Sequence, residues 1–234
     1  VLTAPERELT ARRAQRIARQ TYDWKAWAKR TQAVIEGVVR RPQVQTVAVQ
    51  QHELLLACDI DNTLTGCRDG ARAFAKWLGR EGDRYAFTVA TGRSIAEAQR
   101  VLAEWDLPTP DTIISSTGTE IWHRSGSGFT LCEDYAALIA REWDAAAVRA
   151  ALEGANGRFQ PVYDQRRWKV SLFGAISDVP EIEAQLHQAG ALARIIPSHE
   201  KFIDIIPVQA GKAAAIRFEA ARRDMSDDRV IVAG

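Results

Sequence analysis

ELLLACDIDNTLTG, residues 53–66, is an apolar run that ends abruptly in two aspartates one residue apart. Such a run fits a buried β-strand, and open α/β sheets hold their ligands at the carboxyl ends of these strands. We therefore expect Asp59 at the strand tip and Asp61 in the turn beyond it. Two carboxylates this close repel one another unless a cation or a shared proton offsets their charge. The pair predicts a site for a cation with oxygen ligands, with one aspartate free to act as a nucleophile.

Two other interpretations of the aspartate pair need to be considered. A calcium-binding loop requires Gly at its sixth position and Glu at its twelfth, but this sequence has Leu64 and Gly70 there, and a strand-like run precedes the loop. Helix capping by Asp61 or Thr63 is the second alternative, and it is compatible with catalysis. The hypothesis we carry forward is a phosphoryl-transfer site.

Composition sets broad bounds on the function. The 234 residues are 46% hydrophobic and 26% charged, which is typical of a globular protein. The formal net charge of +1 gives no reason to expect a nucleic-acid partner, and no apolar segment is long enough to predict a membrane span. Cys58, Cys67 and Cys132 are odd in number and have no Cys-x-x-Cys spacing, which favours a reduced, cytoplasmic location.

Four motifs in order along the chain resemble those of the haloacid dehalogenase (HAD) superfamily. DIDNT at 59–63 resembles the first motif, and VATGRS at 89–94 resembles the second, a strand that ends in Ser or Thr. Gly-Lys at 211–212 resembles the third, which supplies a lysine. RVIVAG at 229–234 resembles the strand that leads into the fourth, Gly-Asp-x-x-x-Asp.

Finer similarities point to one family within that superfamily. DIDNT at 59–63, STGTEI at 116–121 and KVS at 169–171 are similar to the sucrose-phosphate phosphatase family. The similarity covers roughly residues 52–234. It implies an enzyme that removes phosphate from a sugar phosphate, with sucrose 6-phosphate as the expected substrate.

The resemblance assigns a role to four residues. Asp59 is the expected nucleophile, and Asp61 the acid that protonates the leaving oxygen and later the base that deprotonates water. Thr91 is expected to hydrogen-bond a phosphoryl oxygen, and Lys212 to place a positive charge on the same oxygens. Mg²⁺ is the expected cofactor, bound by the Asp59 carboxylate and the main-chain carbonyl of Asp61.

Further residues are expected to contact the substrate. These are Thr63, Gly92, Arg93, Gly118, Thr119, Glu120 and Lys169. Each has a structural alternative: Arg93 could be a solvated residue at a helix start, and Gly92 with Thr91 could simply make a strand-to-helix turn. Glu120 could accept a hydrogen bond from a sugar hydroxyl.

Gly234 stands where the resemblance would next supply the acidic fourth motif. Asp227 and Asp228 precede the predicted strand 230–233 rather than follow it, so they do not replace that motif. We therefore expect a fragment of a longer protein with an incomplete metal site. As given, the chain is expected to bind Mg²⁺ weakly and to turn over little substrate.

Residues 1–38 are expected to belong to a different domain from the rest of the chain. Their sequence predicts two helices. The pattern Val1-Leu2-Thr3-x-Pro5, followed by Tyr22-Asp23-Trp24, resembles the last helices of a two-domain sugar-nucleotide glycosyltransferase. The alternative is a plain helical extension. Residues 39–52, polar and punctuated by Pro42, predict a linker.

The remaining chain predicts an α/β fold. Strands and helices alternate through 53–121 and return at 208–234, which indicates a Rossmann-like HAD core with a parallel sheet. The helix after Ser94 carries a capping-box signal, Ser94 with Glu97. Residues 122–207 predict an inserted α+β cap domain that would close over the substrate.

Two functions from different classes follow. The first is a Mg²⁺-dependent sugar-phosphate phosphatase with an aspartyl-phosphate intermediate, part of a bifunctional synthase–phosphatase that carries a glycosyltransferase domain in the same polypeptide. The second is a non-catalytic, HAD-like regulatory domain of a sucrose-phosphate synthase. The second predicts eroded motifs, whereas Asp59, Asp61, Thr91 and Lys212 are all present.

Overall fold

The computed structural model describes residues 52–153 and 158–234. The chain divides into two compact units, Val1–Val49 and Gln50–Gly234. The predicted helical tail at 1–38 and nearly all of the predicted linker at 39–52 lie outside the described residues. Among the helices of the described part, none has both the length and the apolar character needed to cross a membrane.

The second unit contains ten strands and six helices within its described residues. The strands are β1 (Leu54–Cys58), β2 (Tyr85–Ala90), β3 (Thr112–Ser115), β4 (Glu120–Ser125), β5 (Gly128–Leu131), β6 (Arg158–Phe159), β7 (Val170–Phe173), β8 (Arg194–Ser198), β9 (Phe202–Ile206) and β10 (Val230–Ala233). The helices are α1 (Arg68–Glu81), α2 (Ile95–Glu104), α3 (Glu133–Ile139), α4 (Ala145–Ala151), α5 (Val179–Gln188) and α6 (Lys212–Arg222).

The first sheet has six strands in the order β10–β1–β2–β3–β4–β5. β10, β1, β2 and β3 are parallel, and β4 and β5 join as an antiparallel edge. The register pairs Cys58 with Val89 on β2 and with Ala233 on β10. The carboxyl ends of these three strands therefore lie side by side.

Helices cover both faces of this sheet. Because successive strand residues point to opposite faces, Leu55 and Ala57 belong to one core, with residues of α3 and α6, while Leu56 and Cys58 belong to the other, with residues of α1 and α2. This explains why β1 is a continuous apolar run. The predicted α/β architecture with a parallel sheet is confirmed.

Sheet pairing moves one predicted boundary. We placed the cap at 122–207, but β4 and β5 belong to the first sheet: Trp122 pairs with Ile113 on β3 and with Leu131 on β5. The turn between Ser125 and Gly128 folds this hairpin back onto the core instead of carrying the chain into the insertion. Helix α3, which we did not predict, also packs on the first sheet.

The second sheet lies within the insertion. It has four antiparallel strands in the order β6–β7–β9–β8. Its core contains Val170, Leu172, Ile203 and Ile205, and residues of α4 and α5 pack against them. This is a separate α+β layer with its own apolar cluster, as expected of an inserted domain.

Candidate active site

The site begins at the carboxyl end of β1. The Asp59 N–H donates to the Ala233 carbonyl at 2.9 Å, which aligns the ends of β1 and β10. Beyond it the turn Ile60–Leu64 reverses the chain, and Asn62 adopts a left-handed backbone with φ of 57°. The Thr65 N–H and hydroxyl both donate to the Ile60 carbonyl at 2.9 Å, so the turn is held by its own backbone. A rigid turn fixes where the two aspartates lie.

Asp59 forms an ion pair with Lys212. Its Oδ2 lies 3.0 Å from Lys212 Nζ, and its Oδ1 accepts a hydrogen bond of 2.8 Å from the Ile60 N–H. The two side chains are 28% and 37% exposed, so a ligand can reach them. Lys212 is the first residue of α6, where the helix dipole disfavours a cation unless an anion is close. Asp59 provides that anion, and a phosphoryl group would add a second one.

Asp61 is held by Arg93. Arg93 Nη2 lies 2.7 Å from one carboxylate oxygen and Nε lies 3.0 Å from the other, which is the bidentate geometry that guanidinium groups favour. The hydrogen bonds that Arg93 donates to Asp61 raise the pKa of its guanidinium, which therefore stays charged. We predicted a substrate contact for Arg93, and the structure places its Nε and Nη2 on Asp61.

Thr91 follows β2 at the same edge of the sheet. Its side chain is fully buried, and its Oγ1 accepts a hydrogen bond of 3.2 Å from the Arg93 N–H. The hydroxyl proton is left as a donor, so contact with a phosphoryl oxygen remains our prediction. Gly92 next to it is exposed, and so is Thr63 in the turn after β1. Their predicted substrate contacts also remain predictions.

Gly118 has a structural role that the sequence did not reveal. Its φ is +83°, and a Cβ there would lie 2.2 Å from the Gly211 carbonyl carbon. The Gly118 carbonyl accepts hydrogen bonds from the Gly211 N–H at 3.2 Å and from the Tyr135 hydroxyl at 2.7 Å. The turn after β3 therefore touches the backbone that leads into Lys212.

The side chains of Thr119 and Glu120 are satisfied within the first sheet. Thr119 Oγ1 donates to the Ser116 carbonyl at 2.9 Å. Glu120 Oε2 accepts from Ser115 Oγ at 2.8 Å and from Trp122 Nε1 at 3.1 Å, and this carboxylate is buried. These contacts support a structural function, and the predicted substrate contacts of the two residues stay predictions.

Lys169 belongs to a polar cluster on the second sheet. Its Nζ lies 3.3 Å from Asp204 Oδ1, and the same carboxylate accepts from Ser171 Oγ at 2.6 Å and from Thr117 Oγ1 at 2.7 Å. Thr117 follows β3 in the first sheet, so its bond to Asp204 links the two sheets. Thr117 Oγ1 also lies 3.8 Å from where a Cβ on Gly92 would stand, so this cluster borders the loop after β2.

Asp204 and Thr117 were not among the residues predicted from the sequence. A signal for Asp204 was available: it is the charged residue in the otherwise apolar strand FIDII, residues 202–206. Thr117 has a positive φ of 63°, a backbone conformation that is uncommon outside Gly, Asn and Asp and that clusters at functional sites. No motif marks that conformation in the sequence.

Cys58, which precedes Asp59, is not a competing nucleophile. It is buried, and burial raises the pKa of its thiol to about 11. The neutral thiol is a poor nucleophile at physiological pH. Nucleophilic chemistry at this strand end is therefore left to the carboxylates.

The donor set at this edge suits Mg²⁺. Within residues 52–153 and 158–234, no group of three or more His, Cys, Asp or Glu side chains is arranged to hold a metal ion. Mg²⁺, however, is usually bound through one or two carboxylates together with waters and substrate phosphate oxygens. The partly exposed carboxylate of Asp59 matches that pattern, and the main-chain carbonyl of Asp61 in the same turn is the second ligand we predicted.

Comparison with known proteins identifies a family. The profile of the family described as sucrose-6F-phosphate phosphohydrolase matches residues 52–234. A mannosylfructose-phosphate phosphatase of Agrobacterium fabrum is 30% identical over 186 residues, which cover 77% of this chain and 74% of that protein. A protein of Nitrosococcus oceani described as a HAD-like hydrolase is 27% identical over 202 residues, which cover 79% of this chain and 54% of that relative. The chain thus spans about half the length of the Nitrosococcus protein.

A solved structure supports the fold. The sucrose-phosphatase of Synechocystis sp., in complex with sucrose and phosphate, superimposes with a TM-score of 0.72 at 24% identity over 77% of this chain and 75% of that one. The family profile covers most of the chain, and the Agrobacterium relative agrees with it. The chain therefore belongs to the sucrose-6F-phosphate phosphohydrolase family of HAD-type phosphatases.

Proposed function

We propose that this protein hydrolyses the phosphate monoester of a sugar phosphate, with sucrose 6-phosphate as the substrate. The observation that carries the proposal is the Asp59–Lys212 pair, 3.0 Å apart and open to solvent at the carboxyl end of β1. It joins a nucleophile to a cation that suits phosphoryl oxygens. The name of the family profile supports sucrose 6-phosphate.

The reaction proceeds in two displacements. The Asp59 carboxylate attacks phosphorus, the ester P–O bond breaks, and the departing sugar oxygen takes a proton from Asp61. Water then attacks the aspartyl-phosphate and gives a proton to Asp61. This step releases inorganic phosphate and restores the Asp59 carboxylate. In the pairing described, Arg93 orients Asp61 as the carboxylate that acts as base in the second step. For the first step Arg93 releases one of the two oxygens, so that Asp61 enters as the carboxylic acid and carries the proton it donates.

Two other residues complete the phosphate site in this proposal. Thr91 donates its hydroxyl proton to a phosphoryl oxygen, and Lys212 neutralises charge on the same group. The Asp59 carboxylate and the Asp61 main-chain carbonyl would hold Mg²⁺. When bound, the ion offsets negative charge on the phosphoryl oxygens.

We assign sugar recognition to the polar cluster between the two sheets. Lys169, Ser171, Asp204 and Thr117 supply charged and hydroxyl groups beside the loop after β2, and such groups bind sugar hydroxyls well. The Agrobacterium relative is named for mannosylfructose phosphate, so that ester is the alternative substrate to compare.

The regulatory alternative has less support. It predicts a damaged site, whereas the Asp59–Lys212 and Asp61–Arg93 pairs are both formed. A glycosyltransferase domain in the same polypeptide and a cytoplasmic location remain parts of the proposal. Three free thiols support that location.

The test is phosphate release by the full-length protein with Mg²⁺. Sucrose 6-phosphate, mannosylfructose phosphate and a monosaccharide phosphate are compared under the same conditions. We expect the highest kcat/KM for sucrose 6-phosphate, and a loss of about 10⁴-fold or more in Asp59→Asn with an unchanged unfolding temperature. Retained turnover in that variant would exclude Asp59 as the nucleophile. A preference for the monosaccharide ester would exclude the proposed substrate.

A further inference from the structure

The start of α6 lacks the usual means of fixing a helix N-terminus. Gly211 occupies the N-cap position, so no side chain caps the helix, and its φ of +123° lies in the region that favours glycine. Yet the next residue, Lys212, places its ammonium 3.0 Å from Asp59. Something outside the helix must hold this backbone in place, because an uncapped helix end frays.

The Gly118 carbonyl performs that function. It accepts the Gly211 N–H at 3.2 Å, and the two backbones are so close that a Cβ on Gly118 would lie 2.3 Å from the Lys212 nitrogen. The position of Lys212 thus depends on the orientation of one peptide group in the turn after β3.

That peptide group is itself held by Tyr135. The Tyr135 hydroxyl donates to the Gly118 carbonyl at 2.7 Å, which is shorter than the bond from Gly211. Tyr135 is 1% exposed, and its ring packs against Phe218 of α6 with centroids 5.1 Å apart. Burial raises the pKa of this phenol, so the hydroxyl keeps its proton and remains a donor. A buried tyrosine hydroxyl usually has a hydrogen-bond partner, and here the partner is the Gly118 carbonyl.

We propose that Tyr135, which lies outside the HAD motifs, is a positioning residue for Lys212. Its hydroxyl orients the Gly118 carbonyl, and that carbonyl fixes the Gly211 N–H and the first turn of α6. The ammonium group of Lys212 is then already in position when the phosphoryl group binds. The proposal rests on the proposed function for its kinetic consequences, and on the hydrogen bonds above for its geometry.

The main test is a double-mutant cycle between Tyr135→Phe and Lys212→Met. Phenylalanine keeps the ring and its contact with Phe218 but removes the donor. A misplaced cation costs transition-state stabilisation, so we expect kcat to fall by about tenfold to a hundredfold with a smaller change in KM. In the Lys212→Met background, Tyr135→Phe should change kcat by less than about twofold, because the group it positions is gone. An equal loss in both backgrounds would overturn the proposal.

Matched variants separate position from packing. Tyr85→Phe removes a hydroxyl at the start of β2, the opposite end of that strand from Thr91, and should leave kcat within about twofold. Phe218→Leu removes the ring contact but keeps the Tyr135 hydroxyl. It should lower the unfolding temperature and have only a small effect on kcat. Para-aminophenylalanine at position 135 keeps an N–H donor and should restore kcat. Failure of that rescue would contradict the proposal, even if the phenylalanine variant folds poorly.

A second readout does not require turnover. Inorganic phosphate binding, measured by calorimetry in the presence of Mg²⁺, should weaken by about tenfold in Tyr135→Phe and not in Tyr85→Phe. Unchanged phosphate affinity together with a lower unfolding temperature would make Tyr135 purely structural and overturn the proposal. If no form of the protein hydrolyses a sugar phosphate, the proposed function fails, but this binding series still decides the role of Tyr135.

Discussion

The two ends of α6 hold carboxylates in opposite ways. At its first residue, Lys212 reaches the partly exposed Asp59 with a single ammonium group. In its last turn, the fully buried Glu219 accepts hydrogen bonds from two strands, from Thr112 Oγ1 of β3 at 3.0 Å and His123 Nε2 of β4 at 2.8 Å. It also accepts from two residues at its own helix end, Arg222 at 3.0 Å and Arg223 at 2.7 Å.

The difference separates a charge that can react from a charge that holds the fold. The Asp59–Lys212 ion pair is partly exposed, so it is accessible from the solvent. Glu219 has no exposed surface, and removing one partner would leave a buried charge uncompensated. We therefore expect a variant at the first residue of α6 to lose activity and a variant at Glu219 to lose stability.

Of the variants that compare the two ends of α6, the one at its first residue has the largest expected effect. Lys212→Met keeps the aliphatic stem but removes the charge, so kcat/KM should fall by about 10²- to 10³-fold. The ion pair is partly exposed and worth at most about 1 kcal/mol of stability, so the unfolding temperature should hardly change. Steady-state phosphate release measures the expected loss of kcat/KM, and thermal unfolding measures the expected absence of a stability change. Activity within threefold of wild type would remove Lys212 from the mechanism.

The next effect is on stability at the other end of the helix. Burial by itself would raise the pKa of Glu219, but hydrogen bonds from His123 and Arg222 outweigh burial and hold the pKa well below its usual value of 4.5. A lowered pKa in the folded state means that this stability is present above about pH 4.5 and is lost as the pH falls below it. Glu219→Gln should lower the unfolding free energy by about 3 kcal/mol at pH 7. In this variant the unfolding free energy should also depend less on pH in the acid range.

The control for that prediction is Glu183→Gln. Glu183 is an exposed residue of α5, so its removal should leave both the unfolding free energy and its acid limb unchanged. Urea titrations between pH 3 and 7 provide the measurement. If Glu219→Gln and Glu183→Gln lose the same stability, the cluster at the end of α6 does not hold the fold.

The smallest expected effect concerns the second sheet. Asp204→Asn keeps the shape but weakens the cluster with Lys169, so KM for the sugar phosphate should rise by about tenfold. A small ester without a sugar, p-nitrophenyl phosphate, should be hydrolysed with an unchanged kcat. Asp83→Asn, an exposed change between α1 and β2, is the matched control. Equal loss for both substrates would place Asp204 in the chemical step instead of sugar recognition.

The residues of the candidate active site could be predicted from the sequence because each one stands next to a local signal. Asp59 ends an apolar run, Thr91 ends another, and Lys212 follows Pro207 and Gly211. The strands Leu54–Cys58 and Tyr85–Ala90 end directly before Asp59 and Thr91, as the two motifs predict, and Val230–Ala233 has the predicted bounds. Ser94 forms the predicted capping box with Glu97 at the start of α2.

The rest depends on pairing that no local pattern encodes. The bond between Thr117 and Asp204 joins residues 87 positions apart, and the contact of Glu219 with Thr112 spans 107. β4 and β5 read as part of an insertion because their turn is rich in Gly and Ser, and only strand pairing shows that they extend the first sheet. The bidentate contact of Arg93 with Asp61 likewise joins two loops, each of which looks complete alone.

The close contact of Gly118 with Gly211 has a mechanical consequence. The two loops meet backbone to backbone, so no side-chain torsion lies between them to absorb a displacement. We expect a displacement of Lys212 by a bound anion to pass to the turn after β3, and through the hydrogen bond between Thr117 and Asp204 to the second sheet. The proposed phosphate contact at Lys212 and the proposed sugar contact at Asp204 are thus connected through one short turn, and we expect binding of one part of a substrate to affect binding of the other.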